Sequence, residues 1–165
     1  MGPLHAKAVT NTIEYNIQMS AVLGQEPSDE AIEAFILETL SKGQVVPGFG
    51  HPVLRGKDSR LEYISGFMKT HEVSKTPGKG GNSGLSLKTM ERALVIIPKL
   101  LILHVPRMRN PAPNMDALSG CMMLSYGLAA DATVLFAGCG RGMGISAQIV
   151  WDRGKCFSVG FWNHL

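Results

Sequence analysis

The sequence predicts an all-α protein. Apolar residues recur at three- and four-residue steps in several windows, strict alternation is nearly absent, and glycine or proline punctuates the chain at the spacing of short helices. The chain has 165 residues, 45% hydrophobic and 18% charged, which places it among globular rather than disordered sequences. Its longest apolar stretch, residues 93–105, contains Pro98 and Lys99. It therefore falls short of the roughly 18–20 residues of a membrane span. The net charge of +3 is mild and its basic residues are dispersed, so neither nucleic acid nor membrane is an expected partner. Cys121, Cys139 and Cys156 match no metal-ligand spacing, and an odd count argues against a disulfide framework. No metal site is expected.

The first helix is expected over residues 6–23, with Ala8, Ile13, Ile17, Met19 and Val22 as apolar positions and Gly24 as its end. The second starts at the N-cap Ser28, carries Asp29 and Glu30 in its first turn, and presents Ala31, Phe35, Ile36 and Leu40 before Gly43 stops it. A loop over 44–50 follows. A third helix is expected over 58–71, and a glycine- and lysine-rich exposed loop over 74–86. The fourth helix spans 87–104, with Pro98 kinking it or marking a boundary. Residues 110–114, Asn-Pro-Ala-Pro-Asn, are rigid and extended, and lead into a fifth helix over 116–126. A last helix, about 132–151, is interrupted by Gly138, Gly140, Gly142 and Gly144, and the tail from 155 is expected to be irregular.

Three segments carry chemistry. In Gly2-Pro3-Leu4-His5 a histidine stands at a helix N-terminus, where the dipole disfavours imidazolium. A neutral ring there can still donate a hydrogen bond to a carbonyl. In Val45-Val46-Pro47-Gly48-Phe49-Gly50-His51, two glycines let the backbone approach a ligand closely, and Arg55 and Arg60 follow as partners for carboxylate or phosphate. In Asn114-Met115-Asp116 a carboxylate is held at a helix start by the preceding prolines. Each segment also has a plainer reading: a surface histidine, a helix connection with a structural histidine, an aspartate that only caps. Two histidines and a carboxylate suit proton abstraction beside a carbonyl, one group taking the proton and another bonding the enolate oxygen. Their spacing permits them to meet without requiring it.

These motifs, in this order, resemble the C-terminal part of eukaryotic-type citrate synthases over nearly the whole chain, most strongly at residues 2–5, 45–60, 110–120 and 133–151. The resemblance implies a citrate-synthase-like small domain over 1–127, and a long helix and tail of the large domain over 128–165. It implies condensation of acetyl-CoA with oxaloacetate to citrate and CoA. His5 would bond the thioester carbonyl, Asp116 would take the methyl proton, and His51 would bind and protonate the oxaloacetate carbonyl. Arg60 and Arg141 would hold carboxylates. Val45, Val46, Pro47, Gly48 and Gly50 would bind CoA through their backbone, with Arg55 near its phosphates and Asn114 beside its arm. Arg107 and Arg109 stand where the family often has lysines. No permanently bound cofactor is implied; acetyl-CoA is a substrate. The family's homodimer and mitochondrial matrix location follow by resemblance alone.

The chain departs from the family at Ala6, where glycine is usual, and at Ser59, where proline is usual. One extra residue between Phe136 and Arg141 would turn a helix by about 100°. The family's N-terminal half supplies another histidine for oxaloacetate, so upstream sequence is expected. Ile145, Ile149, Val150 and Trp151 are expected to form an exposed apolar patch. A remnant that binds CoA or a partner without turnover, and a relative that uses propionyl-CoA, are the alternative readings.

Overall fold

A computed structural model of the chain describes residues 7–24, 26–51, 53–71 and 87–162. Among the described residues there are helices and no strands, in the order α1 (Lys7–Leu23), α2 (Asp29–Ser41), α3 (Ser59–Thr70), α4 (Leu87–His104), α5 (Asp116–Ser125) and α6 (Ala130–Trp162). Two compact units are present, Met1–Thr133 and Val134–Leu165.

In the first unit, α1 packs on α5, α2 on α4, and both α3 and α4 on α5. Ser28 caps α2 as expected: its Oγ accepts from the Ala31 amide at 3.3 Å. The stripe of α2 buries Ile32 and Ile36 completely. They meet Ala93, Ile97 and Leu101 of α4, Leu118 of α5 and Met68 of α3 in one core. Burying each such side chain stabilises the unit by roughly 1.5–3 kcal/mol. Val46 and Phe49 belong to the same core. The loop that holds them is thereby fixed from beneath.

The structure alters three expectations. Pro98 lies inside α4, which runs through it without a boundary. The four glycines do not interrupt α6, which continues through residue 155 to Trp162 where an irregular tail was expected. Helix hydrogen bonding over a long uninterrupted run outweighs a cost of about 1 kcal/mol per glycine. Finally, Asp116 is the first residue of α5 and not its cap; that position falls to Met115, with no side-chain bond. The expected loop at 74–86 lies outside the described residues. In the second unit, Ile145, Ile149, Val150 and Trp151 are exposed as expected, with Leu135, Phe136 and Met143 also exposed.

Candidate functional site: two loops joined across the start of α5

The loop before His51 and the proline-rich lead-in to α5 run side by side. Phe49 and Pro113 form an antiparallel bridge. The Asn114 amide donates to Gly48 O at 2.9 Å, and the Gly50 amide to Ala112 O at 3.0 Å. The Asn114 side chain closes the junction: its Nδ2 donates to Gly50 O at 3.0 Å, while its Oδ1 accepts from the Asp116 amide at 2.9 Å. Proline suits positions 111 and 113 because the amides the lead-in uses are those of Ala112, which donates to Asn110 Oδ1 at 3.1 Å, and of Asn114.

Gly48 is required for two reasons. Its φ is +84°, and an added Cβ would stand 2.8 Å from Ala117 Cα. The loop thus rests directly on the first turn of α5, beside Asp116. Val46 and Phe49 are buried, whereas Val45 is 73% exposed.

His51 has a defined tautomer. Its Nδ1 accepts from the amides of Val53 and Leu54, at 3.1 and 3.0 Å. The ring proton is then on Nε2, which is left as a hydrogen-bond donor. His51 lines a cavity of about 460 Å³ together with Phe49, Gly50, Arg55, Met108, Arg109 and Asn110. That volume suits a small ligand, and both arginines in its wall suit an anion. A larger and more apolar cavity, about 700 Å³, lies between α3, α4 and residues 111–113. It contains none of the catalytic or ligand-binding residues expected from the sequence.

Arg60 and Asp116 belong to a second cluster, organised by Asp58. This aspartate is the N-cap of α3, with a side chain only 3% exposed. It accepts from Arg60 Nε at 2.9 Å, from Arg60 Nη2 at 2.8 Å, from the Arg60 amide at 3.1 Å and from the Met115 amide at 3.0 Å. The hydrogen-bonded guanidinium, followed by the two backbone amides, outweighs burial and lowers the Asp58 pKa to about 2. Arg60 is held in its charged form chiefly by Asp58, with a smaller contribution from the charge of Asp116. The Asp58 pair uses two of the five guanidinium N–H groups. Arg60 is also 53% exposed, so it can meet a second carboxylate from the solvent side.

The structure therefore brings Gly48, Gly50, His51, Arg55 and Asn114 onto one pair of joined loops, with Asp116 at the start of the helix that follows the second. Arg141 lies on the exposed length of α6 in the second unit. His5 lies outside the described residues. The sequence reading missed Asp58 and Asn110. Asp58 in Asp58-Ser59-Arg60 has the form of an N-cap, and Asn110 that of an ordinary residue before proline. Neither form signals a partner some 55 residues away.

A helical scaffold that sets a donor histidine, an arginine-lined cavity and a carboxylate at a helix start side by side suits an anionic ligand bearing a carbonyl. The comparisons narrow this class. The family model "Citrate synthase, C-terminal domain" matches residues 1–157. The mitochondrial citrate synthases of Neurospora crassa and Aspergillus niger are 37% and 38% identical over 154 residues, 92% of this chain and 30% of each relative. A mitochondrial 2-methylcitrate synthase of Emericella nidulans is 34% identical over 155 residues, 92% of this chain and 32% of that relative. The fold is similar to the crystal structure of citrate synthase from Thermotoga maritima, with a TM-score of 0.54 and 22% identity over 82% of this chain and 32% of that one. The chain belongs to the citrate synthase family, as its C-terminal portion. It spans about a third of the length of the curated relatives it matches.

Proposed function

We propose that this chain carries the small-domain share of a citrate-forming site, which condenses acetyl-CoA with oxaloacetate and releases citrate and CoA. The observation that carries the proposal is the junction of the two loops, which sets a histidine with a donor Nε2 beside the helix start that bears Asp116. Asp116 removes a methyl proton from the thioester while His5 hydrogen-bonds its carbonyl oxygen. The resulting enol carbon bonds to the ketone carbon of oxaloacetate. His51 delivers its Nε2 proton to the oxygen that becomes the hydroxyl. Water then cleaves the thioester, giving citrate and CoA. In this reading Arg60 and Arg141 bind the dicarboxylate. The backbone of Val45, Val46, Pro47, Gly48 and Gly50, together with Arg55 and Arg109, takes the CoA arm and its phosphates. Asn114 contributes to the arm's position through the loop it closes, since both ends of its amide already bond the backbone. Action in the mitochondrial matrix is part of the same proposal, supported by the mitochondrial relatives, and so is a homodimer, which rests on the family resemblance alone.

The test is thiol release from acetyl-CoA on addition of oxaloacetate. Release by the 165-residue chain supports autonomous turnover. Its absence, with helical circular dichroism intact, refutes that turnover; CoA heat in calorimetry would then favour a binding remnant. The similarity to a 2-methylcitrate synthase supports a second reading, in which propionyl-CoA is the better substrate. One methylene in a pocket is worth about 1–3 kcal/mol, so the two thioester rates should differ by tenfold or more.

A further inference from the structure

We infer that Asn110 is a positioning residue for His51, holding Leu54, whose amide helps to fix which ring nitrogen carries the proton. The inference rests on the proposed role of His51 at a carbonyl. Asn110 is 7% exposed and lines the same cavity as His51. Its Nδ2 donates to Leu54 O at 3.0 Å and to Gly56 O at 3.1 Å, and its Oδ1 accepts from the Ala112 amide at 3.1 Å. Leu54 is the shared link. Its carbonyl is held by Asn110, and its amide donates to His51 Nδ1 at 3.0 Å.

Two separate peptide oxygens on one carboxamide define the plane of the turn after His51. That turn aims the amides of Val53 and Leu54 at a single nitrogen. With the turn free to rotate, Nδ1 loses its fixed donors, and the tautomer with the proton on Nδ1 becomes accessible. A ring in that tautomer presents an acceptor at Nε2, which repels a carbonyl oxygen where donation is needed. Asn110 touches no reacting atom in this account. It acts through Leu54.

The experiment is nitrogen NMR on the full 165-residue chain labelled with ¹⁵N, with His51 assigned by its disappearance in His51→Gln. The wild-type chain should show a single tautomer with the proton on Nε2, and a coupling across the hydrogen bond from the Leu54 amide to Nδ1. A tautomer mixture, or no such coupling, overturns the inference. Asn110→Asp keeps the shape and the acceptor for Ala112 but removes both donors. It should shift the His51 Nδ1 and Nε2 resonances toward a tautomer average and abolish the coupling, leaving the other four histidines in place. An unchanged His51 pattern in that variant overturns the inference. Asn110→Ala serves as the second variant and should give the same shift. Should neither variant fold, hydrogen exchange in the wild type decides: the Asn110 Nδ2 protons and the Leu54 amide must open with one rate, and separate rates overturn the link. The tautomer is read without turnover. A chain that keeps it but releases no CoA refutes autonomous turnover and leaves the positioning role standing.

Discussion

Replacing Asp58 by asparagine removes one buried charge and leaves the side chain's shape nearly unchanged. Asp58 is 3% exposed and accepts four hydrogen bonds, three from Arg60 and one from the Met115 amide. Its pKa falls from 3.8 to about 2 on folding. At 1.36 kcal/mol per unit, that shift is worth on the order of 2 kcal/mol at neutral pH. Arg60 is half exposed and solvent-screened, so its own raised pKa adds nothing to this figure. Because the folded pKa is the lower one, the unfolded chain binds the proton more readily. The stabilisation is therefore complete above about pH 5 and disappears as the pH falls toward 2. In Asp58→Asn the amide group faces guanidinium donors, so a loss of about 2–3 kcal/mol is expected at pH 7. Urea unfolding of both proteins, followed by circular dichroism from pH 7 to pH 2, measures the difference; other carboxylates cancel in it. The gap should close as the pH approaches 2. A gap that stays constant across this range would refute the electrostatic account, and a gap under about 0.5 kcal/mol at pH 7 would refute the hub itself.

Gly48→Ala places a Cβ 2.8 Å from Ala117 Cα at a φ of +84°, so backbone strain and overlap together should cost at least about 2 kcal/mol in urea unfolding. An equal midpoint would show that the loop does not rest on α5. Gly120→Ala sets a Cβ 2.5 Å from Ile13 Cγ1, between α5 and the fully buried Ile13 of α1. It should lower stability by about 1–3 kcal/mol, and the loss should be smaller in an Ile13→Ala background, where the overlapping Cγ1 is absent. Burial raises the Cys121 thiol pKa to about 12, while Cys139 is exposed. Peptide mapping after brief alkylation at pH 8 should find Cys139 modified and Cys121 modified only in denaturant. Equal labelling of both in the native chain would contradict the packing of α5.

The sequence made the helices legible where their signals were local. Ser28 before Asp29 and Glu30, and the stripe through Ala31, Phe35, Ile36 and Leu40, specify α2 within one short window, although the structure buries Ile32 with Ile36 most completely. The same reasoning went too far at the glycines of α6. Glycine lowers helix propensity by an amount that can be read from the sequence, but whether a neighbouring turn makes up the difference depends on the whole run. Pro98 teaches a related lesson. It removes one amide from the ladder of α4, yet the helix carries Ala93, Ile97 and Leu101 into the core on both sides of it. A helix tied down at both ends tolerates a defect that would end a free one.

At the site, the sequence exposed the residues proposed to carry chemistry and concealed Asp58 and Asn110, which bond across the chain to their loops. His51, Arg55 and Arg60 stand out because they follow a loop punctuated by Pro47, Gly48 and Gly50, and Asp116 because two prolines precede it. Asp58 and Asn110 have common local uses, and in each case that use is real: Asp58 caps α3, and Asn110 accepts from Ala112 two residues on. Their second task is a bond across more than fifty residues, to Met115 in one case and to Leu54 and Gly56 in the other. Such bonds have no period and leave no local trace. They add to the backbone bonds and the Asn114 side chain that join the two loops, and to the buried Val46 and Phe49 that fix the first loop from beneath. The carboxylate and the carboxamide supply these further ties from outside the loop. Substitutions at 58 and 110 are therefore expected to alter how His51 and Arg60 are presented, although neither residue belongs to the chemistry proposed here.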